Sequence, residues 1–524
     1  MKEKIVVVGG GINGLVAANY LQRQAYDVVL LERKDKVGGA CELDSVRFNG
    51  TSYQFPAGAT TLGFMQDFVF EETGLAGKVD LMQPAHPGVV WFESLKSPCF
   101  LYEDLNQLKR ELKTKWKEKG AVSEFFDDLE RVRRFLIEGF RNAEIPDLGK
   151  AKSALGARLT KLWIEGSARD LFDHYFTSDQ MKVFWAIEVT ESGPVSLDSS
   201  FSAFTIPLLS SGSIFGGNWG FVKGGLYELI KALDRVNQER GVQVITGAKV
   251  LSASQNGSQL TYADSEGHAH KIDCDYIFFA TDPLTAADVL KEKSLVKEVK
   301  SKRLLGTSGK MVLIFKKNVI WKDDTGNEDF DAAFKFIIST NNLEQFERSS
   351  MSITLPSQAF DSVSAFSPNY FEIYCESAAM RKFGIKTDYD AISVFFKDLS
   401  FGIMRDELPY VKQDVEKIIL KRIENVDDFV GSILFIPKDL KERFFFPEGN
   451  IDHLEICDGQ TFHTRTFSAN EENFYQFGAH ERIMYCGAGA YPAGSIAGTT
   501  GYMSVQNFLR TKAKGRNSAA KLAK

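Results

Sequence analysis

The stretch Ile5-Val6-Val7-Val8-Gly9-Gly10-Gly11-Ile12-Asn13-Gly14, close to the amino terminus, decides the fold of this chain. Its β-branched residues predict a strand that is buried on both faces, as in a parallel sheet. The glycines have the GxGxxG spacing, which allows a tight turn, a close approach of backbone to phosphate, and close packing of helix on strand. The next residues, LVAANYLQRQ, predict a helix whose first N–H groups would face that phosphate. The stretch therefore predicts the phosphate-binding turn of a Rossmann-like fold.

A second apolar run, residues 28–31, ends at Glu32, at the distance from the glycines that a ribose-binding acid has in dinucleotide sites. Its carboxylate would accept hydrogen bonds from ribose hydroxyls and would repel a 2′-phosphate, which disfavours NADP. Arg33 follows directly and is either a ligand contact or a solvated charge. The glycine pair Gly38-Gly39 then offers a second close approach of backbone to the ligand.

The glycine turn, the acid and the second glycine pair together resemble the amino-terminal FAD signature of amine oxidases, carotenoid desaturases and their relatives. The resemblance implies non-covalent FAD binding by residues of these segments: Gly9, Gly11, Ile12, Asn13, Gly14, Glu32, Arg33, Gly38, Gly39 and Ala40. Ala40 stands where many relatives have an arginine, so one phosphate or flavin contact differs from theirs. The resemblance also implies that the turn Gly58-Ala59-Thr60 lies near the isoalloxazine ring; an ordinary turn is the alternative reading.

The carboxy-terminal segment adds a strand pattern at residues 481–486 that leads into GAGAYPAGSIAGTTGY and a further helix. With the NWGFVKGGL and GNIDH stretches, it resembles the phytoene-dehydrogenase-related flavoproteins, in the branch of pyridine-nucleotide-disulfide-oxidoreductase-domain proteins. That resemblance implies further cofactor contacts, at Val250, Ala280, Thr281, Gly487, Ala488, Ser495, Ile496 and Ala497. A helix that starts near Ile496 and Ala497 would direct its N–H groups at the electron-rich edge of the reduced flavin.

Three separated segments are thus expected to build one domain. The predicted fold class is α/β, with a discontinuous Rossmann-like FAD-binding domain of the glutathione-reductase type, a mixed α+β substrate domain and a helical insertion. We assign the FAD-binding parts to residues 1–70, 215–300 and 478–511, the helical insertion to 71–214, the substrate domain to 301–477 and a basic tail to 512–524. A chain of 524 residues fits two or three folding units.

Composition narrows the partners and the location. The 63 Lys and Arg against 69 Asp and Glu give a formal net charge of −6, which disfavours a nucleic-acid binder. The cysteines form no CxxC pair and no cluster with metal-ligand spacing, so no metal is expected. Cys41 and Cys486 are the candidates for covalent flavin attachment, but the strand that Cys486 ends is typical of a buried site. Without a signal-peptide pattern or a long apolar run, we expect a cytoplasmic protein. Its basic tail is either solvated or in peripheral contact with a membrane.

The resemblance implies two-electron oxidation of an organic substrate, with hydride transfer to flavin N5. Phe is frequent, at 42 residues, which indicates either core packing or an apolar cavity for a lipid-like small molecule. The leading hypothesis is a desaturase or dehydrogenase. The alternatives are a flavin amine oxidase and a non-catalytic prenyl-lipid carrier of the GDP-dissociation-inhibitor type. Motifs identify no catalytic residue, so Tyr491, Thr60 and Trp219 are only candidates for the flavin face, and the oligomeric state stays open.

Overall fold

The computed structural model describes residues 2–84, 88–93, 97–323, 335–353, 370–470 and 472–522, together with residues 95, 330, 333 and 368. These residues form two large β-sheets, several smaller ones, and helices packed around them.

The first sheet collects strands from the two ends and the middle of the chain. Numbered in chain order and given in spatial order, its strands are Gln476–Phe477 (β19), His480–Tyr485 (β20), Tyr276–Phe279 (β13), Lys4–Val8 (β1), Asp27–Leu31 (β2) and Gln243–Ile245 (β9). All neighbours are parallel except β19 and β20. Val6 lies opposite Val29 on one side and Ile277 on the other, and all three are buried, as continuous apolar runs predict.

Several helices pack around this sheet. Its associated helices are Ile12–Arg23 (α1), Leu226–Glu239 (α9), Pro283–Leu290 (α10), Lys293–Ser301 (α11) and Thr499–Leu522 (α16). Helices α1 and α16 pack closely against each other at Gly501. A Cβ atom added to this glycine would lie only 2.2 Å from the carbonyl oxygen of Asn13, so a larger residue does not fit. The first and last thirds of the chain therefore meet at the start of α1.

Helix α16 differs from the prediction at both ends. It begins at Thr499, after Ser495, Ile496 and Gly498, which all have positive φ values that a right-handed helix cannot accept. It continues to Leu522, through the region that we assigned to a separate tail. Lys512 of that region binds Glu3, and the last two residues of the tail lie outside the described residues.

The second sheet has a mixed topology. In spatial order its strands are Phe429–Phe435 (β18), Gly309–Phe315 (β14), Asp390–Phe396 (β17), Tyr370–Tyr374 (β16), Lys335–Ser339 (β15), Gly88–Phe92 (β6) and Cys99–Leu101 (β7). All neighbours are antiparallel except β6 and β15. Strands β6 and β7 come from the segment that we predicted as a helical insertion, so that segment also completes the second sheet. Strand β6 is buried on both faces and so shows no alternating pattern, and β7 has only three residues.

The rest of residues 71–214 is mainly helical, as expected. Helix Asp67–Glu72 (α2) ends at the beginning of this segment, and the α-helices within it are Leu105–Lys115 (α3), Val122–Arg141 (α4), Leu148–Leu159 (α5), Ala168–Tyr175 (α6), Asp179–Val189 (α7) and Thr205–Leu209 (α8). Phe125 packs among Trp163, Tyr175, Phe176 and Trp185, so part of the high Phe content serves core packing.

Smaller elements complete the chain. The small sheets pair Leu43–Phe48 (β3) with Thr51–Pro56 (β4), Leu81–Met82 (β5) with Phe221–Val222 (β8), and Lys249–Ala253 (β10) with Gln259–Ala263 (β11) and Ala269–Asp273 (β12). The remaining α-helices are Leu343–Ser352 (α12), Glu376–Lys382 (α13), Leu408–Leu420 (α14) and Pro437–Phe444 (α15). Within the described residues, none of the helices combines the length and the apolar character needed to cross a bilayer.

Candidate functional site

A cavity of about 230 Å³ opens at the carboxyl ends of β1, β2 and β13. This edge is where ligands bind in open α/β sheets. The first cavity, as we call it, is lined by most of the residues that the sequence predicted for it: Gly9, Gly11, Ile12, Asn13, Glu32, Arg33, Gly38, Gly39, Ala40, Val250, Ala280, Thr281, Ala488, Ser495 and Ile496.

Three predicted residues, Gly14, Gly487 and Ala497, lie behind this lining. A Cβ at Gly14 would lie 2.0 Å from the Gly9 carbonyl oxygen, and one at Gly487 would lie 2.3 Å from the Thr281 carbonyl oxygen. The absence of a side chain at Gly14 and Gly487 therefore allows close packing of the backbone.

Gly11 and Gly39 form the narrow part of the first cavity, where their backbones face each other. A Cβ at Gly11 has only the Cα of Gly39 within 4 Å, at 3.8 Å, so it would project into open space. Gly39 has a φ of +58°, which favours glycine. The space that a side chain would fill is thus left for a ligand.

The start of α1 supplies hydrogen-bond donors to the same place. Gly11 is the N-cap residue and offers no side-chain cap, so no side chain competes with a ligand for the first N–H groups. Beside it, Oδ1 of Asn13 is buried and has no hydrogen-bond partner among the described residues. The uncapped N–H donors match an anionic ligand such as a pyrophosphate. The amide oxygen of Asn13 needs a hydrogen-bond donor, which a ligand hydroxyl would supply.

Glu32 closes the far side of the first cavity. Its carboxylate accepts hydrogen bonds from the backbone N–H of Gly10 at 2.7 Å and of Lys34 at 2.8 Å. These bonds fix the side chain, and each carboxylate oxygen keeps a free lone pair for ribose hydroxyls. Arg33 is exposed and also lines the first cavity. Its guanidinium group lies over the ring of Phe445.

Two further segments, residues 444–446 and 451–453, contribute to this cavity, and the sequence analysis did not predict them. Phe444, Phe445, Phe446, Ile451 and His453 all line it. Burial lowers the pKa of His453 to about 3, so its imidazole is neutral, and its Nδ1 has no partner among the described residues. The GNIDH motif was a signal for His453, but it gave no position relative to the glycines.

A second cavity, of about 170 Å³, continues from the first. The two share the walls formed by Ala40, Phe444, Phe446, Ile451, Ser495 and Ile496. The predicted turn Gly58-Ala59-Thr60 lines the second cavity. The backbone N–H of Ala59 donates to the Ala40 carbonyl oxygen at 2.8 Å, which holds this turn against the second glycine pair.

Lys310, which the sequence reasoning missed, fixes the same turn from the second sheet. Its ammonium donates to the carbonyl oxygens of Pro56 at 2.7 Å and Gly58 at 2.6 Å, and to Oγ1 of Thr60 at 2.9 Å. The side chain is buried, and burial lowers the pKa of its ammonium to about 8. A lysine inside a buried strand was the available signal, because such a residue needs a specific partner.

Of the flavin-face candidates, Thr60 and Trp219 line the second cavity and Tyr491 does not. The Trp219 ring packs on Gly63, where a Cβ would lie 2.1 Å from Cδ2 of the indole. Tyr491 is buried in an aromatic group with Phe140, Phe462 and Phe474. Thr60 and Trp219 therefore remain candidates for the flavin face, and Tyr491 lies outside the lining of both cavities.

A dinucleotide cavity at the end of a Rossmann-like sheet, continued by a cavity against a mixed sheet, defines the class of flavoprotein oxidoreductases. The sequence model of the flavin containing amine oxidoreductase family matches residues 12–370, more than half of the chain. The chain belongs to this family, and FAD is its cofactor. The prediction of a carotenoid desaturase and amine oxidase superfamily member with an α/β fold is confirmed.

Similar proteins with curated names come from Staphylococcus haemolyticus. A 4,4′-diapophytoene desaturase (4,4′-diaponeurosporene-forming) is 27% identical over 259 residues, which cover 47% of this chain and 48% of the relative. A 4,4′-diaponeurosporene oxygenase is 22% identical over 281 residues, covering 53% of this chain and 54% of the relative. The chain thus spans about half the length of the curated relatives it matches.

Among solved structures, cyclohexylamine oxidase from Brevibacterium oxydans is similar over 99% of this chain and all of its own, with a TM-score of 0.58 and 12% identity. Putrescine oxidase in complex with putrescine has a TM-score of 0.56 and 13% identity, covering 98% of this chain and 99% of that structure. At these identities the likeness establishes the fold.

Proposed function

We propose that the protein catalyses an FAD-dependent two-electron oxidation, a desaturation or dehydrogenation, of a lipid-like small molecule. The observation that carries this proposal is that the two cavities adjoin: the first cavity shares six lining residues with a second cavity, which is lined mainly by apolar atoms and includes the Gly58–Thr60 turn. The curated relatives include desaturases and an oxygenase, and the desaturases support this reaction type.

We assign the residues of the first cavity to FAD. The N–H groups at the start of α1 and the backbones of Gly11 and Gly39 would hold the pyrophosphate, and Glu32 would hold the adenosine ribose. Ser495 and Ile496 line both cavities, so they would lie beside the flavin ring. When bound, FAD supplies the acceptor for two electrons. The predicted domain boundaries, the cytoplasmic location and the peripheral membrane contact remain predictions.

The chain's own part in the reaction is to position the substrate and to exclude water. Leu209, Trp219, Phe395, Leu440 and Phe446 form an apolar wall of the second cavity. This wall would bind the carbon chain of the substrate and remove water from the reacting bond. Lys310 would keep the turn at Thr60 in place against the cofactor, which fixes the distance between substrate and flavin.

The two alternatives have weaker support. An amine oxidase must bring an amine into the second cavity, where the carboxylate of Glu188 is already paired with Lys335 and so is not free to bind an ammonium group. A prenyl-lipid carrier has no use for Glu32 and the glycine cradle, both of which are intact.

The test is anaerobic reduction of the purified, FAD-loaded protein. We expect an unsaturated or saturated lipid chain to bleach the flavin absorbance near 450 nm, whereas amines leave it unchanged. Bleaching by amines alone would support the amine oxidase, and a protein that takes up no FAD would support the carrier.

A further inference from the structure

One face of the second sheet carries an unusual set of polar side chains. Lys310 pairs with Phe395 across β14 and β17, and Tyr374 pairs with Ser393 across β16 and β17. Because side chains alternate along strands, these residues share a face with Lys335 and Glu372. Lys310, Lys335, Tyr374, Ser393 and Phe395 all line the second cavity.

The opposite face of the same strands is entirely apolar where it packs on α14. It includes Met311, Leu313, Phe336, Ile373 and Val394, all buried. Burial of charged groups costs free energy that apolar residues of similar size would not cost. The anchoring of the Gly58–Thr60 turn accounts for Lys310. It does not account for Lys335, Tyr374 and Ser393, which also line the cavity, and a bound ligand would.

Most of these polar groups are already satisfied by protein partners. Lys335 binds Glu188 at 3.1 Å and Glu372 at 2.6 Å, and the Tyr374 hydroxyl donates to Glu372 at 2.7 Å. Lys310 has the three acceptors in and beside the Gly58–Thr60 turn. Their role toward a ligand is therefore to set the local electrostatic potential.

Two groups keep unused hydrogen-bonding capacity. Oγ of Ser393 is buried and makes no hydrogen bond of good geometry with the described residues; the protein group beside it is the buried carboxyl of Glu376, which accepts from the backbone N–H of Ser393 at 3.1 Å. Glu191, just after α7, also lines the cavity. Its carboxyl group makes no hydrogen bond to the part of the chain that the structure describes. Burial raises the pKa of this carboxyl to about 8, so it carries a proton at neutral pH and can donate as well as accept.

The surrounding charges select among possible end groups. Lys335 is already paired with Glu188 and Glu372, and Lys310 with carbonyl and hydroxyl oxygens, so a charged end group would be buried without a free counter-charge. An uncharged hydroxyl or carbonyl avoids this penalty and can pair with both unused groups.

We propose that the substrate is amphiphilic, with an uncharged alcohol or carbonyl end group that binds Glu191 and Ser393 while its carbon chain lies against the apolar wall. This inference rests on the proposed function and narrows its substrate class. It replaces a pure hydrocarbon with a lipid alcohol, aldehyde or ketone.

The test uses ligands of one length that differ only at the end group: 1-decanol, 1-chlorodecane, decanoate and decylamine. Each is titrated into the FAD-loaded protein at pH 7, and binding is followed by the change in flavin absorbance. We expect 1-decanol to bind about ten-fold more tightly than 1-chlorodecane, and the two charged ligands to bind more weakly than the alcohol. Equal affinity for 1-decanol and 1-chlorodecane, or tighter binding of either charged ligand, overturns the proposal.

Two variants test whether Glu191 and Ser393 cause the preference for 1-decanol over 1-chlorodecane. In Glu191→Leu and Ser393→Ala we expect the ratio of the two affinities to fall to between one and three. Ser432→Ala is the matched control, because Ser432 is also buried in the second sheet but lines neither cavity. If Glu191→Leu does not fold, Glu191→Gln must keep a preference for the alcohol. An unchanged ratio in both Ser393→Ala and Glu191→Leu overturns the assignment.

The two proposals fail in different ways. A protein that lipid chains reduce, but that does not prefer the alcohol, refutes the end-group inference and leaves the oxidation of lipid-like substrates standing. A yellow protein that no lipid chain reduces refutes the proposed function, whatever the binding preference.

Discussion

The ammonium group of Lys310 lies 2.9 Å from the hydroxyl oxygen of Thr60, which is 250 residues away in the sequence. This bond joins the second sheet to the turn that follows the nucleotide-binding segment. A buried contact between two distant parts of the sequence therefore fixes the position of this turn relative to the second sheet.

Replacing Lys310 tests this link. Lys310→Met leaves the carbonyl oxygens of Pro56 and Gly58 without their donor, at a cost of about 1–3 kcal/mol for a buried group. We expect flavin reduction to slow at least ten-fold while FAD stays bound. Lys316→Met, at an exposed position just after β14, is the control. Unchanged reduction in Lys310→Met would show that the turn needs no anchor.

Two glycine variants separate ligand contact from packing. Gly11→Ala places a methyl group in open space, so we expect normal stability of the FAD-free protein but a loss of FAD affinity of at least ten-fold. Gly14→Ala collides with the Gly9 carbonyl oxygen, so we expect a lower melting temperature even without FAD. The measurements are thermal unfolding of the FAD-free protein and FAD titration. Normal FAD binding by Gly11→Ala would contradict the site.

Glu32→Leu tests the ribose contact. It removes the acceptor for Gly10 and Lys34 together with the proposed acceptor for the ribose, and hydrogen bonds to charged groups contribute about 1.5–3 kcal/mol. We expect FAD affinity, measured by equilibrium dialysis, to fall by about 10- to 100-fold. Glu239→Gln, at an exposed position of α9, is expected to bind FAD like the parent. A fall of less than three-fold in Glu32→Leu would remove Glu32 from the site.

The titration of Glu191 predicts a pH-dependent stability. Its pKa is about 8 in the folded protein and near 4.5 in the unfolded chain, so the folded state holds the proton more tightly between these values. Stability that depends on this group therefore falls as pH rises from about 4.5 to about 8. The charged and titratable groups that influence it are Lys397, Glu372, Glu188, Lys335, Tyr370 and Tyr374.

Glu191→Gln removes this dependence. We expect the melting temperature of the variant, relative to the parent, to be higher at pH 8.5 than at pH 5.5. Glu472→Gln, at an exposed position, is expected to show a constant difference across the same range. A difference for Glu191→Gln that does not grow with pH would contradict the raised pKa.

The sequence brought together most of the residues that line the first cavity, because the determinants of this part of the fold are local. The order of strand, glycines, helix, strand and acid occupies residues 5–32, and period and spacing alone place Gly11 and Glu32 at the same sheet edge. The predicted start of α16 was wrong. Ser495 and Ile496 have positive φ values there, and neither residue type favours that conformation.

What the sequence determined by itself is thus the cofactor class, the parallel core of the first sheet, and most of the first-cavity lining. Only the tertiary structure decided that Lys310, Glu191 and Ser393 face one cavity and that Tyr491 does not. The physical reason is that these residues come from a helix end and two strands far apart in the chain. Their proximity follows from the packing of sheets and helices, which no short stretch of sequence encodes.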